Sequence, residues 1–126
     1  MKITLGSILL NGGGETPQDF CVDMRRRIQT EYAIGSPNAR IFDRQNKSVA
    51  VSFVIERSHA TQSLAEDFAA SHAEEISNLS TPAFKFSVNK DSFILSNAAV
   101  SRVRTECDGI MTRTSYEFSG ESINRI

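Results

Sequence analysis

The strictest pattern in this sequence is the alternation of side chains over residues 48–57, SVAVSFVIER. Val49, Val51, Phe53 and Ile55 share one parity, and mostly small or polar residues stand between them. Successive side chains of a strand point to opposite faces of its sheet, so a period of two predicts a strand with one face on a core. Any fold of this chain must therefore bury one face of this segment.

The same period recurs before and after this segment. On its N-terminal side, residues 2–10 predict a strand that ends at an Asn-Gly-Gly-Gly turn. Residues 20–34 predict a long, curved or bulged strand, and residues 39–43 predict a short strand with a turn at 44–46. On the C-terminal side, the sequence predicts strands at 84–88, 92–95, 98–106 and 110–118. Asp108-Gly109 favours a tight hairpin turn, and residues 120–126 are expected to fray.

Residues 61–79 change period and predict one amphipathic helix. Its apolar stripe comprises Leu64, Ala65, Phe68, Ala69, His72, Ile76 and Leu79. Ser63 stands three residues before Glu66, which is the spacing of a capping box, and Thr61 is an earlier candidate for the N-cap. The helix connects two strands and presents a single apolar stripe, so we expect it to cover one side or one open end of the sheets.

About seven strands and one helix predict a mainly β, α+β fold in a single domain spanning residues 1–126. A parallel sheet would need several helices between its strands, so the architecture is an antiparallel sandwich or barrel with the helix packed on it. The 14 basic and 15 acidic residues give a net charge of −1, which argues against a nucleic-acid partner. No apolar run approaches the ~20 residues of a membrane-spanning helix, so no membrane partner is expected.

The sequence contains no recognisable catalytic motif, and we expect neither an enzyme nor a cofactor or metal site. Cys21 and Cys107 have no adjacent base and are expected to be buried strand thiols rather than nucleophiles. The Asn-Gly-Gly-Gly segment at residues 11–14 is expected to be a turn rather than a phosphate cradle, because no helix begins there.

Two features remain as candidate sites. His72 lies in the middle of the apolar stripe of the helix, where it is either a core histidine or part of a ligand pocket. Arg25, Arg26 and Arg27 form a basic cluster that contacts either phosphates or, more in keeping with the near-neutral chain, carboxylates at an interface.

The order of elements resembles a known family. The segment Val51–Arg57, the helix with Ala65, Phe68 and Ala69, and the ending Arg113–Gly120 are similar to the tail-tube and distal-tail proteins of contractile and siphophage-type tails, and to type VI secretion tube proteins. The resemblance implies a structural subunit that forms rings by sheet-to-sheet pairing, with no catalytic residues. Its partners would be further copies of the chain or other tail proteins, in the cytoplasm or the virion rather than outside the cell.

The resemblance also implies a long loop for stacking rings, for which only residues 11–19 and 35–47 are candidates. An alternative function is a small ligand-binding or adaptor barrel whose helix closes a pocket near His72. Its small-molecule ligand is not specified by the sequence.

Overall fold

A computed structural model describes the backbone of residues 1–32, 39–79 and 82–126, and the side chains of residues 1–24, 48–79 and 82–126. These parts contain nine strands and one α-helix. The elements are β1 (Lys2–Leu5), β2 (Ile8–Leu9), β3 (Gln18–Tyr32), β4 (Ala39–Ser58), α1 (Gln62–Ser77), β5 (Phe84–Val88), β6 (Asp91–Ser96), β7 (Ala99–Asp108), β8 (Met111–Gly120) and β9 (Ser122–Arg125).

The strands form two antiparallel sheets. One sheet has five strands in the order β2-β1-β5-β6-β9, and the other has four in the order β3-β4-β8-β7. The prediction of a mainly β fold with one helix is therefore confirmed. Of its two architectures the sandwich is right and the barrel is wrong, because the strands that the structure describes stay in two separate sheets.

The core lies between the sheets and is built from alternate residues of each strand. Val49, Val51, Phe53 and Ile55 of β4 are each at most 2% exposed, as their alternation predicts. Phe53 is the centre of an aromatic cluster, with its ring centroid 5.0–6.0 Å from those of four other rings. These rings belong to Phe20, Phe84, Tyr116 and Phe118, from both sheets. These large aromatic side chains thus fill the space between the two sheets.

The helix α1 packs against β7 and β8 of the four-stranded sheet. Thr61 is its N-cap, and the Thr61 hydroxyl accepts a hydrogen bond of 3.2 Å from the Leu64 amide. Ala65, His72 and Ile76 are buried, whereas Leu64 is 52% exposed. All three buried residues belong to the predicted stripe, which is wrong only at Leu64, about 100° around the helix from Ala65.

Two predictions for the ends of the chain are wrong. Residues 2–10 are a hairpin of β1 and β2 rather than one strand, because Gly6 adopts a positive φ of 61° and reverses the chain. Residues 120–126 are not frayed, since β9 pairs with the open edge of β6 and the Ile123 side chain packs against the core. Gly120 permits this approach, because a Cβ atom there would stand 2.6 Å from Cγ of Leu95.

The hairpin of β3 and β4 also differs from its prediction. The long, bulged strand is confirmed as β3, whose register with β4 shifts between Gln18 and Cys21 and again between Arg26 and Ile28. The short strand at 39–43 with a turn at 44–46 is wrong, because β4 runs without interruption from Ala39 to Ser58. Residues 44–46 lie opposite the register shift between Arg26 and Ile28, so the predicted turn coincides with an irregularity of the ladder and not with a break in the strand.

Candidate functional site

The β3–β4 ladder continues far beyond the rest of its sheet. The strand β8 pairs with β4 only from Val49 onward, and among the described strands residues 39–48 pair with β3 alone. We call residues 25–32 and 39–48 the hairpin arm. At about 3.3 Å per residue this two-stranded ladder is about 30 Å long. Two-stranded ladders are marginally stable in water, so a feature of this length calls for a partner.

The strand β3 is also an edge strand. It pairs with β4 on one side, and no other described strand pairs with it. Val22 and Met24 lie opposite the buried Val51 and Val49 and therefore have the core-facing parity, yet they are 43% and 74% exposed. The five-stranded sheet leaves them uncovered, so an apolar strip adjoins a strand whose outer edge has no described partner.

The arginine cluster lies in this hairpin. In the backbone register, Arg25 is opposite Ser48 and Arg26 is opposite Lys47, while Arg27 falls in the register shift. The side chains of Arg25, Arg26 and Arg27 are outside the described residues, so the interface predicted for them stays a prediction.

A second candidate site is a polar cluster of Arg57, His72, Thr114 and Tyr116, which joins the helix to the four-stranded sheet. The Arg57 guanidinium donates hydrogen bonds to the Tyr116 hydroxyl at 2.8 Å and to the Thr114 hydroxyl at 3.2 Å. It also donates to the Leu10 carbonyl at 2.6 Å and lies 5.0 Å from the centre of the Phe68 ring. One cation thus contacts the β2–β3 connection, β8 and α1, with cation–π attraction adding to its hydrogen bonds.

The donors of this cluster fix the protonation of His72. Its Nε2 atom is 2.5 Å from the Tyr116 hydroxyl. Because arginine can only donate, the Tyr116 oxygen accepts from Arg57, which leaves the Tyr116 proton available to an unprotonated Nε2 of His72. His72 is then neutral with its proton on Nδ1, which is 3.9 Å from the Glu75 carboxylate.

The surroundings of His72 keep it in this neutral form. Burial first, and then the charge of Arg57, lower the pKa of His72 from 6.5 to about 4. Burial also raises the pKa of the Tyr116 hydroxyl, against the opposing effect of Arg57. The Phe68 ring stacks on the imidazole with centroids 4.4 Å apart. The arrangement therefore favours a hydrogen-bonded core histidine over a proton shuttle.

The pocket alternative finds no support in the cavities on the outer faces of the sheets. Cavities of about 280 and 370 Å³ lie beside the outer residues of β7 and β8, and one of about 250 Å³ lies on the five-stranded sheet. His72 lines none of these three. In the described part of the chain, no group of three or more His, Cys, Asp or Glu residues could hold a metal ion.

The prediction for the cysteines is wrong, since both thiols are exposed. Cys21 lies opposite Ser52 and so has the outward parity of an edge strand, and Cys107 stands next to the β7–β8 turn. A cysteine in a strand stays exposed when its side chain is on the solvent-exposed face of the sheet.

Sequence reasoning missed Arg57 and Tyr116, although a signal for both exists. Arg57 continues the inward parity of Val49 to Ile55, and Tyr116 belongs to the alternating series of β8. An arginine with core-facing parity beside a tyrosine of the same parity indicates a buried hydrogen-bonded pair. What the sequence does not supply is the pairing of β4 with β8 that sets Arg57 opposite Thr112.

Comparison with known proteins gives no relative. No protein-family model matches the chain, and no curated protein matches its sequence. Separately, no helix of the described residues is long and apolar enough to cross a membrane.

Proposed function

We propose that this protein is a non-enzymatic structural subunit of a phage or phage-like tail, which associates with further copies of itself through its strand edges. The observation that carries the proposal is the β3–β4 hairpin, whose arm pairs with no other described strand and whose outer edge is unpartnered over β3. In this proposal the β3–β4 hairpin takes the role of the long loop that the family resemblance implies.

Backbone chemistry supports this function. An edge strand presents a row of N–H and C=O groups that can pair with a strand of another chain, and natural proteins usually keep such edges short, charged or covered. At 15 residues β3 is long, and Val22 and Met24 beside its edge are apolar and exposed. A strand added by a neighbouring copy would satisfy the backbone groups and cover these side chains together.

The site chemistry supports it as well. The polar cluster holds its histidine neutral and hydrogen-bonded, and its cation is already engaged by three hydrogen bonds. These groups are arranged to hold α1 on the sheet rather than to bind or transform a substrate. The surface, and not an interior site, is therefore where we place the function, within an assembled particle.

Light scattering after size-exclusion chromatography tests the proposal. The wild-type chain is expected to give masses of several subunits that rise with concentration. In the double variant Val22→Lys, Met24→Lys, two charges lie beside the β3 edge, and the dissociation constant is expected to rise at least about tenfold. Both side chains are exposed, so the fold should tolerate the change.

Ile110→Lys is the matched control, because Ile110 is a similarly exposed apolar residue in the β7–β8 turn, away from β3. It is expected to assemble like the wild type. A wild-type chain that is monomeric at every concentration and salt would contradict the proposed function.

A further inference from the structure

The lysines of this protein are concentrated on one surface. Three of its four lysines lie on or beside the five-stranded sheet: Lys2 on β1, Lys85 on β5 and Lys90 in the β5–β6 turn. All three are exposed. Lys2 is opposite Ser87 and Lys85 is opposite Thr4, so the two lysines are diagonal neighbours on the outward face, about 7–8 Å apart.

This surface contains no acidic partner for them. The outward residues of the five-stranded sheet are Lys2, Thr4, Leu9, Lys85, Ser87, Ser92, Ile94, Ser96, Ser122 and Asn124. None is a carboxylate, and the nearby Asp91 already pairs with Arg125. A groove of about 250 Å³ runs beside Lys2 and Lys85. We call Lys2, Lys85 and Lys90 with this groove the lysine face.

The helix presents the opposite charge. Glu66, Asp67 and Glu74 are exposed on the half of α1 that faces away from the buried Ala65, His72 and Ile76, and Glu75 is exposed at the border of that half; we call these four carboxylates the acidic helix face. The helix contains no lysine or arginine. Among the described residues, none of these four carboxylates pairs with a lysine or arginine, and none of the three lysines pairs with a carboxylate.

Three arginines elsewhere on the molecule, by contrast, form ion pairs with carboxylates. Arg113 pairs with Glu56, Arg104 with Glu106, and Arg125 with Asp91, each within the chain. In the described part of the chain, these three arginines are therefore neutralised by carboxylates, whereas the three lysines are not. The two faces are separate patches on different elements, since Tyr116 of β8 contacts His72 of α1, while Phe118 of the same parity contacts Phe84 of the five-stranded sheet.

We propose that the acidic helix face of one copy docks on the lysine face of the next copy. The contact is heterologous, so it adds subunits head to tail and leaves one free face at each end unless the ring closes. This inference rests on the proposed function, in which copies of the chain associate, and it assigns a second contact besides the β3 edge. Complementary potentials of this kind set orientation and register more than affinity.

Charge reversal with a mixing step tests the contact. Lys85→Glu and Glu74→Lys each place like charges across it, and each is expected to raise the dissociation constant about five- to tenfold at physiological ionic strength. An equimolar mixture of the two variants should recover near wild-type association, because the reversed helix of one fits the reversed sheet face of the other. Raising the salt to about 0.5 M should weaken the wild type toward the single variants.

Arg102→Glu is the matched control. Arg102 is exposed, forms no ion pair among the described residues and lies on β7, so its reversal changes the net charge equally but touches neither face. It is expected to associate like the wild type.

Three results would overturn the inference while the proposed function stands: association of Lys85→Glu as strong as that of Arg102→Glu, no recovery on mixing, or binding of a DNA duplex by the wild type that Lys85→Glu abolishes. The last would assign the lysine face to a polyanion. A wild type that never associates would overturn the proposed function and this contact together.

Discussion

At the scale of single residues, one arginine influences the state of a histidine on another element. Burial and the charge of Arg57 lower the pKa of His72 and keep it neutral, and the Tyr116 hydroxyl, which accepts from Arg57, can donate to it. The helical pattern puts His72 in the apolar stripe but is compatible with both a pocket and a core position. The choice depends on Tyr116, which is 44 residues away in the chain and adjacent only after folding.

This pairing makes stability depend on pH. In the folded chain the pKa of His72 is about 4, against 6.5 when it is unperturbed, so the unfolded chain binds the extra proton first as the pH falls. The free energy of unfolding should therefore be highest above about pH 6.5, and should decrease by roughly 3 kcal/mol as the pH falls toward 4. Urea unfolding monitored by circular dichroism across this range measures it.

The control variants separate the two histidines. His72→Gln removes the titrating group, so its stability should be lower at neutral pH but nearly flat between about pH 6.5 and 4.5. His59→Gln should keep the wild-type slope. A wild type whose stability is constant across this window would show that His72 is not held neutral by the fold.

At the scale of elements, the alternation of apolar and polar residues predicted the strands that bury every second side chain in the core. β8 and the second half of β4 follow the pattern, because every second residue meets the core. The same reasoning failed at residues 39–47 and at β9. Residues 39–43 and 47 pair with β3, and β9 closes the edge of β6, so backbone pairing extends both segments beyond what alternation predicts.

The sequence contains two candidate N-caps for the helix, Thr61 and Ser63, and in the structure the N-cap is Thr61. Its hydroxyl accepts from the Leu64 amide, whereas Ser63 lies inside the first turn. Thr61→Ala should therefore lower the free energy of unfolding by about 1 kcal/mol, because an N-terminal amide loses its acceptor. Ser63→Ala should have little effect, since alanine is a better helix former than serine. Chemical denaturation of the two variants compares them directly, and equal losses would argue against Thr61 as the cap.

At the scale of the whole molecule, the near-zero net charge conceals an uneven distribution. Composition alone predicted no nucleic-acid partner, although arginines are concentrated at residues 25–27 and carboxylates at residues 66–75. The structure adds a basic patch that no run of sequence reveals, because Lys2 and Lys85 come together only when β1 pairs with β5. The fold class followed from periodicity, whereas strand order, open edges and the two charged faces required the tertiary structure.

The central claim is that the outer edge of β3 is completed by another copy of the chain. Hydrogen–deuterium exchange tests it most directly, read over residues 18–24 in dilute and in concentrated protein, with the central strand β5 as an internal reference. Assembly should slow the outward-facing amides of this segment at least about tenfold and leave β5 unchanged. Exchange in residues 18–24 that is equally fast at both concentrations, in a sample that light scattering shows to be associated, would contradict the claim.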